Sequence, residues 1–131
     1  MHTYNSTQIL RIAALQGAAY QWQQHESVGR SEGLTSAQLK LIRDPAYSPY
    51  GSLTVPPVFN AKQLAAIKFT DASTRNSHVS DDVWAGLAKQ IGSPQQLTEL
   101  ALTVAGYNMV SRFLLSVSVD GVAEMQVPHP V

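Results

Sequence analysis

Two side chains suited to acid–base chemistry, Arg11 and His25, stand in one stretch, TQILRIAALQGAAYQWQQHESVGRSEG, from Thr7 to Gly33. An arginine offers fixed, bidentate donors to a carboxylate or enolate, and a histidine near its ordinary pKa of ~6.5 gives or takes a proton close to neutrality. Together they suit lyase or isomerase chemistry on a substrate with a carboxylate or an enolisable carbonyl. In a decarboxylation the protein would stabilise the dienolate and His25 would protonate carbon. In an isomerisation or cyclisation the same pair would move a proton without loss of carbon. Ser6, Gln21, Trp22, Tyr20, Tyr107 and Asn108 are the candidates to line such a pocket. A second reading uses the same residues structurally. Arg11 then pairs with an Asp or Glu, His25 is a satisfied, partly buried histidine, the aromatic rings pack in the core, and Asn108 makes an inter-helix hydrogen bond.

The chemical reading depends on a turn. Fourteen residues separate Arg11 from His25, which on one unbroken helix is about 21 Å, too far for both to touch a small molecule. If the chain turns at Gln16 and Gly17, the two segments pack side by side and both residues can face one cavity. Glycine permits such a turn without steric cost. The first segment carries its apolar pattern on Ile9, Leu10, Ile12, Ala13 and Leu15, with Asn5 or Ser6 as the N-cap. The second runs from Ala18 through Val28 toward Gly33, placed as a C-terminal stop.

Cap signals open most of the remaining helices. Thr35 with Gln38 forms a capping-box pattern before a short helix ending near Arg43, and Asn60 caps a helix reaching about Thr74. Ser80, followed by Asp81 and Asp82, starts a helix that ends at Gly92. Ser93, Pro94 and Gln96 start the longest helix, to about Ser118, apolar nearly all round and therefore central or at a subunit interface. Between Asp44 and Phe59 four prolines and a glycine predict a long loop; its aromatic and aliphatic side chains predict that it lies over a groove or a neighbouring subunit. After Asp120 no periodic pattern is left, and a loosely packed tail is predicted over 121–131.

With 131 residues and 44% hydrophobic content, one all-α domain is the expectation, spanning 1–131 with its core over about 6–120. Nine basic and nine acidic residues balance to zero and form no basic stripe, which argues against nucleic acid as a partner. Only 14% of residues are charged, so part of the surface is expected to be covered by further copies of the chain. There is no cysteine, which removes disulfides and thiol redox chemistry, and the histidines lack the spacing of a metal site. Neither a signal peptide nor a run of about 18 apolar residues is present, so no membrane partner and a cytoplasmic location are expected.

The order and spacing of these residues resemble the carboxymuconolactone decarboxylase and alkyl hydroperoxidase D-like superfamily, in its cysteine-free branch. Ile9, Leu10, Arg11, Ala13, Tyr20, Trp22 and His25 match its "L-R-x-A" and "Y-x-W-x-x-H" elements, and Arg30, Gly33, Leu34 and Thr35 its "R-x-x-G-L-T" turn. Ser6 and Gln21 stand where that branch carries acids. Ala18 and Gln21 fall on the two cysteine positions of thiol-bearing members, so peroxidase activity is not expected. The resemblance implies an alkyl hydroperoxidase D-like helical bundle, shortened at its N-terminus, assembled as a homotrimer or homohexamer. It also implies a cofactor-independent, metal-free site, with His25 and Arg11 catalytic, acting on a small cyclic carbonyl or carboxylate compound of aromatic degradation or specialised metabolism. Two alternatives stand beside this decarboxylase-like or isomerase-like enzyme. One is a cyclase or pericyclic catalyst of natural-product biosynthesis, in which Gln21 and Arg11 polarise a carbonyl. The other is a non-catalytic binding or assembly protein that retains the fold.

Overall fold

A computed structural model describes residues 3–51 and 57–131, with side chains described from Asn5 onward. Six α-helices appear among the described residues: α1 (Thr3–Gln16), α2 (Ala19–Ser31), α3 (Ser36–Arg43), α4 (Ala61–Asn76), α5 (Asp81–Ile91) and α6 (Pro94–Ser116). A 3-10 segment, Val119–Glu124, follows and is broken by left-handed Asp120 and Gly121. No strand is found among the described residues, so the chain is all-α.

The predicted turn is present. Gly17 adopts φ +71°, a region that L side chains enter at a cost of about 1–2 kcal/mol, and the Ala18 amide donates to the Ala13 carbonyl at 2.8 Å. The chain thus doubles back, and α1 and α2 form a helical hairpin. At its open end the helices approach closely: a Cβ on Gly29 would lie 2.9 Å from Leu34 Cδ1 and 3.1 Å from Leu10 Cδ1.

α1 is the central helix, packed against α2, α3, α4 and α6. Its 3.6-residue period feeds two apolar cores on different faces. Leu10, Ala13 and Ala14 join Trp22, Leu39, Ile42 and Ile67 on one side. Ile12 joins Phe69, Leu87, Leu100 and Val104 on the other.

The caps follow the sequence closely. Thr35 and Asn60 make full capping boxes with Gln38 and Gln63, and the Ser80 and Ser93 hydroxyls accept from the Val83 and Gln96 amides. Gly92 ends α5 in the left-handed conformation. α6 ends at Ser116, within two residues of the expected end. Two expectations need correction. α1 begins at Thr3, so neither Asn5 nor Ser6 caps it. The tail is tied down: Arg43 donates to the Pro128 and Val127 carbonyls at 2.9 and 2.8 Å, and Ser36 Oγ donates to the Val131 carbonyl at 2.7 Å. Val122 is buried and Val127 packs on the core as well, but these contacts follow no helical period. Of the apolar loop residues, Leu53 and Val55 lie outside the described residues, whereas Tyr47 and Tyr50 border clefts.

Candidate functional site

Arg11 is wholly buried, and its five N–H donors are all engaged. Nε and Nη2 make a bidentate pair with Asp71 Oδ1 and Oδ2 at 2.7 and 2.9 Å. Nη1 donates to the carbonyls of Ile42 (3.1 Å) and Asp44 (2.7 Å), and Nη2 also donates to that of Tyr47 (2.9 Å). The guanidinium therefore ties the exit of α3 and the loop beyond it to α4. It has no donor left for a substrate, which removes the basis for the predicted carboxylate clamp.

His25 lies in a different environment. Its ring meets that of Tyr107 edge-on, with centroids 5.1 Å apart and an interplanar angle of 89°. Its Nδ1 is buried without a hydrogen-bond partner among the described residues, and burial pushes the imidazole below its ordinary pKa, favouring the neutral ring. Arg11 and His25 thus do not share a set of neighbours: the first is held by α3, α4 and the loop between them, the second faces α6. The expectation of one cavity between them is corrected. A helix period of 3.6 residues puts them on the two hairpin arms but does not set the direction of each side chain.

Gln21, one helical turn before His25, is nearly buried. Its Nε2 donates to the Ile9 carbonyl at 2.9 Å, and its Oε1 has no partner among the described residues. Gln21 and His25 therefore present two unpaired buried polar atoms from the same face of α2. Tyr20 projects into solvent, 45% exposed, and Trp22 is a core side chain whose indole N–H donates to Glu26 Oε2 at 2.7 Å. Tyr20 is offset from the Gln21–His25 face around the helix, and Trp22, three residues before His25, packs into the core instead.

The remaining predicted residues are bonded within the protein. Asn108 donates to Thr74 Oγ1 and the Val104 carbonyl, each at 3.0 Å, and accepts from Gln16 Nε2 at 3.0 Å. It joins α6 to α4 and α1 as an inter-helix hydrogen-bond centre. Ser6 is buried and donates to the Glu32 carboxylate from just beyond α2. A carboxylate is thus brought to Ser6 from a distant position, something the spacing of residues around Ser6 did not signal. Sequence reasoning also missed Gln8, which is fully buried with both amide atoms unpartnered among the described residues. Its only signal was a polar residue inside an apolar helical run.

Among the described residues no group of three or more His, Asp or Glu side chains is arranged to hold a metal ion, and no helix is long and apolar enough to cross a membrane. The fold and site define an all-α domain with a partly buried amide–imidazole pair on a helical hairpin. No known protein family, curated protein or solved structure matches the chain.

Proposed function

We propose that the chain is the subunit of a homo-oligomer, a trimer or hexamer of the alkyl hydroperoxidase D-like fold, whose Gln21–His25 face moves a proton on a small hydroxy-carbonyl compound without a cofactor. The observation that carries this reading is the pair of unpartnered buried atoms, Gln21 Oε1 and His25 Nδ1, one turn apart on α2. An unpaired buried polar group costs about 1–3 kcal/mol, so a ligand that supplies donors there is favoured. Gln21 Oε1 accepts from a substrate hydroxyl. With its proton on Nε2, a neutral His25 offers Nδ1 as the base for an acidic C–H and returns the proton at a second carbon.

Arg11 takes no part in this chemistry. That favours an isomerase-like proton shift over decarboxylation, which would need a clamp for the departing carboxylate. It also weighs against the cyclase alternative, since Arg11 is fully engaged and the unpaired atom of Gln21 is an acceptor.

Oligomerisation is supported by α6. Leu102, Met109 and Phe113, with Val117 at the C-cap, are 66%, 68%, 62% and 56% exposed, and their spacings of seven, four and four residues place them along one side of the helix as an apolar stripe. The opposite stripe of α6, through Leu100, Val104, Asn108 and Ser111, is buried in the domain. The complete engagement of Arg11 favours a second reading, a non-catalytic assembly or binding domain.

Hydrogen exchange separates the two. The protein is incubated with cyclic hydroxyketones and lactones in deuterium oxide, and substrate C–H signals are followed by NMR. Exchange above the buffer rate that disappears in His25→Gln supports the enzyme. Exchange absent across the panel, in a protein that still assembles, leaves the assembly reading.

A further inference from the structure

A groove unrelated to the Gln21–His25 face runs along α4, between the 44–51 loop and the start of α5. It consists of two cavities of about 560 and 520 Å³ that adjoin at Tyr50, Lys68, Ser80 and Val83. Its two arms differ in chemistry. The arm toward the start of α4 is walled by Leu64, Ala65 and Val83, and besides the shared Lys68 it carries Asp82 and Lys89. The arm toward the end of α4 carries Lys68, Arg75 and His78, and Asp71 is its acid.

Asp71 does not offset Lys68 and Arg75, because both its oxygens accept from Arg11 at 2.7 and 2.9 Å. Lys68, half-buried, has its ammonium 4.8 Å from the centre of the Tyr50 ring and no carboxylate partner among the described residues. Arg75 donates from Nη2 to the Pro45 carbonyl at 2.7 Å, which fixes its head beside the loop. No protein acceptor engages its other nitrogens among the described residues. The second arm is thus an aromatic-walled concavity with uncompensated positive charge, adjoining an apolar slot.

We infer that this groove binds a carboxylate on an elongated apolar body. The carboxylate sits between Lys68 and Arg75 in charge-assisted hydrogen bonds. The body lies along Leu64 and Val83. From Lys68 back to Ala61 the helix rises roughly 10 Å, the length of an octyl chain.

Octanoate is the probe, with 1-octanol and acetate as controls, in titrations of the full chain followed by amide NMR. Saturable shifts at Lys68, Tyr50 and Val83 are expected with octanoate. Octanol lacks the charge and acetate lacks the body, so each should bind at least about tenfold more weakly. Lys68→Met and Arg75→Gln change groove side chains without touching either core and should each weaken octanoate by about tenfold with unchanged thermal stability. The inference is overturned if octanoate and octanol bind alike, if Lys68→Met binds octanoate as the wild type does, or if no saturable shift appears. Binding that weakens with salt supports it, because the charged end is partly open to solvent.

Discussion

Replacing Arg11 with Met separates a structural arginine from a substrate-binding one. The substitution preserves much of the side-chain length while removing the charge and all five donors. It strands the nearly buried Asp71 carboxylate and removes the hydrogen bonds to the carbonyls of Ile42, Asp44 and Tyr47. Breaking a buried ion pair by removing one partner costs about 3–5 kcal/mol, because the remaining charge is left uncompensated. For a chain of 131 residues, a change of 1 kcal/mol moves the melting temperature by roughly 3–5 °C, so a fall of about 10–20 °C is expected. Arg11→Lys keeps the charge but not the planar fork, and should fall between the two. Calorimetry and urea denaturation give the readout. A shift below about 3 °C in Arg11→Met would refute the structural assignment and restore Arg11 as a candidate ligand residue.

Three further outcomes follow from the same geometry. Burial lowers the folded pKa of His25 below its ordinary value, so between that lowered value and ~6.5 the unfolded chain binds the additional proton, and stability rises with pH across this window. Acidification from pH 8 to 5 should therefore destabilise the wild type more than His25→Phe, measured by urea midpoints; equal slopes would remove the buried neutral imidazole. Phe113→Lys places a charge in the exposed stripe of α6 and should reduce the mass in sedimentation to that of one chain, with helix content retained. An unchanged oligomer would move the interface elsewhere, and a monomeric wild type would end the assembly proposal. Gly17→Ala should cost about 1–2 kcal/mol because φ is +71° there, although no atom lies within 4 Å of the added Cβ. A neutral or stabilising effect on the melting temperature would contradict that left-handed turn.

Local signals carried most of the secondary structure. Thr35, Asn60, Ser80 and Ser93 cap their helices through bonds to residues three positions on, and Gly17 and Gly92 occupy left-handed positions. Such motifs are complete within a few residues and can be read directly. What decides the site is not local. An ion pair for Arg11 was among the readings, but Asp71 is sixty positions away and three further acceptors lie 31 to 36 positions away. The acid beside Ser6 comes from Glu32, 26 positions on. The sequence of α6 reads as apolar all round; only packing separates the stripe of Val104 and Asn108 from the stripe of Met109 and Phe113. Chemistry assigned by residue type thus had to be revised by direction, because a helix fixes where a residue sits before neighbouring elements fix what it touches.

Arg11 also connects the core to the groove on α4. Its bonds to the carbonyls of Asp44 and Tyr47 hold the segment that presents Tyr47 and Tyr50 to the groove, and its bond to Asp71 keeps that carboxylate from offsetting the nearby cations. One buried guanidinium therefore sets both the wall and the sign of the charged arm. An Arg11→Met chain kept folded at low temperature should bind octanoate much more weakly, although Arg11 itself does not line the groove. Adding Asp71→Asn removes the stranded carboxylate while leaving the loop untethered. If charge governs binding, the double variant regains affinity; if the placement of the tyrosine wall governs it, affinity stays low. Wild-type affinity in Arg11→Met alone would show that neither coupling exists.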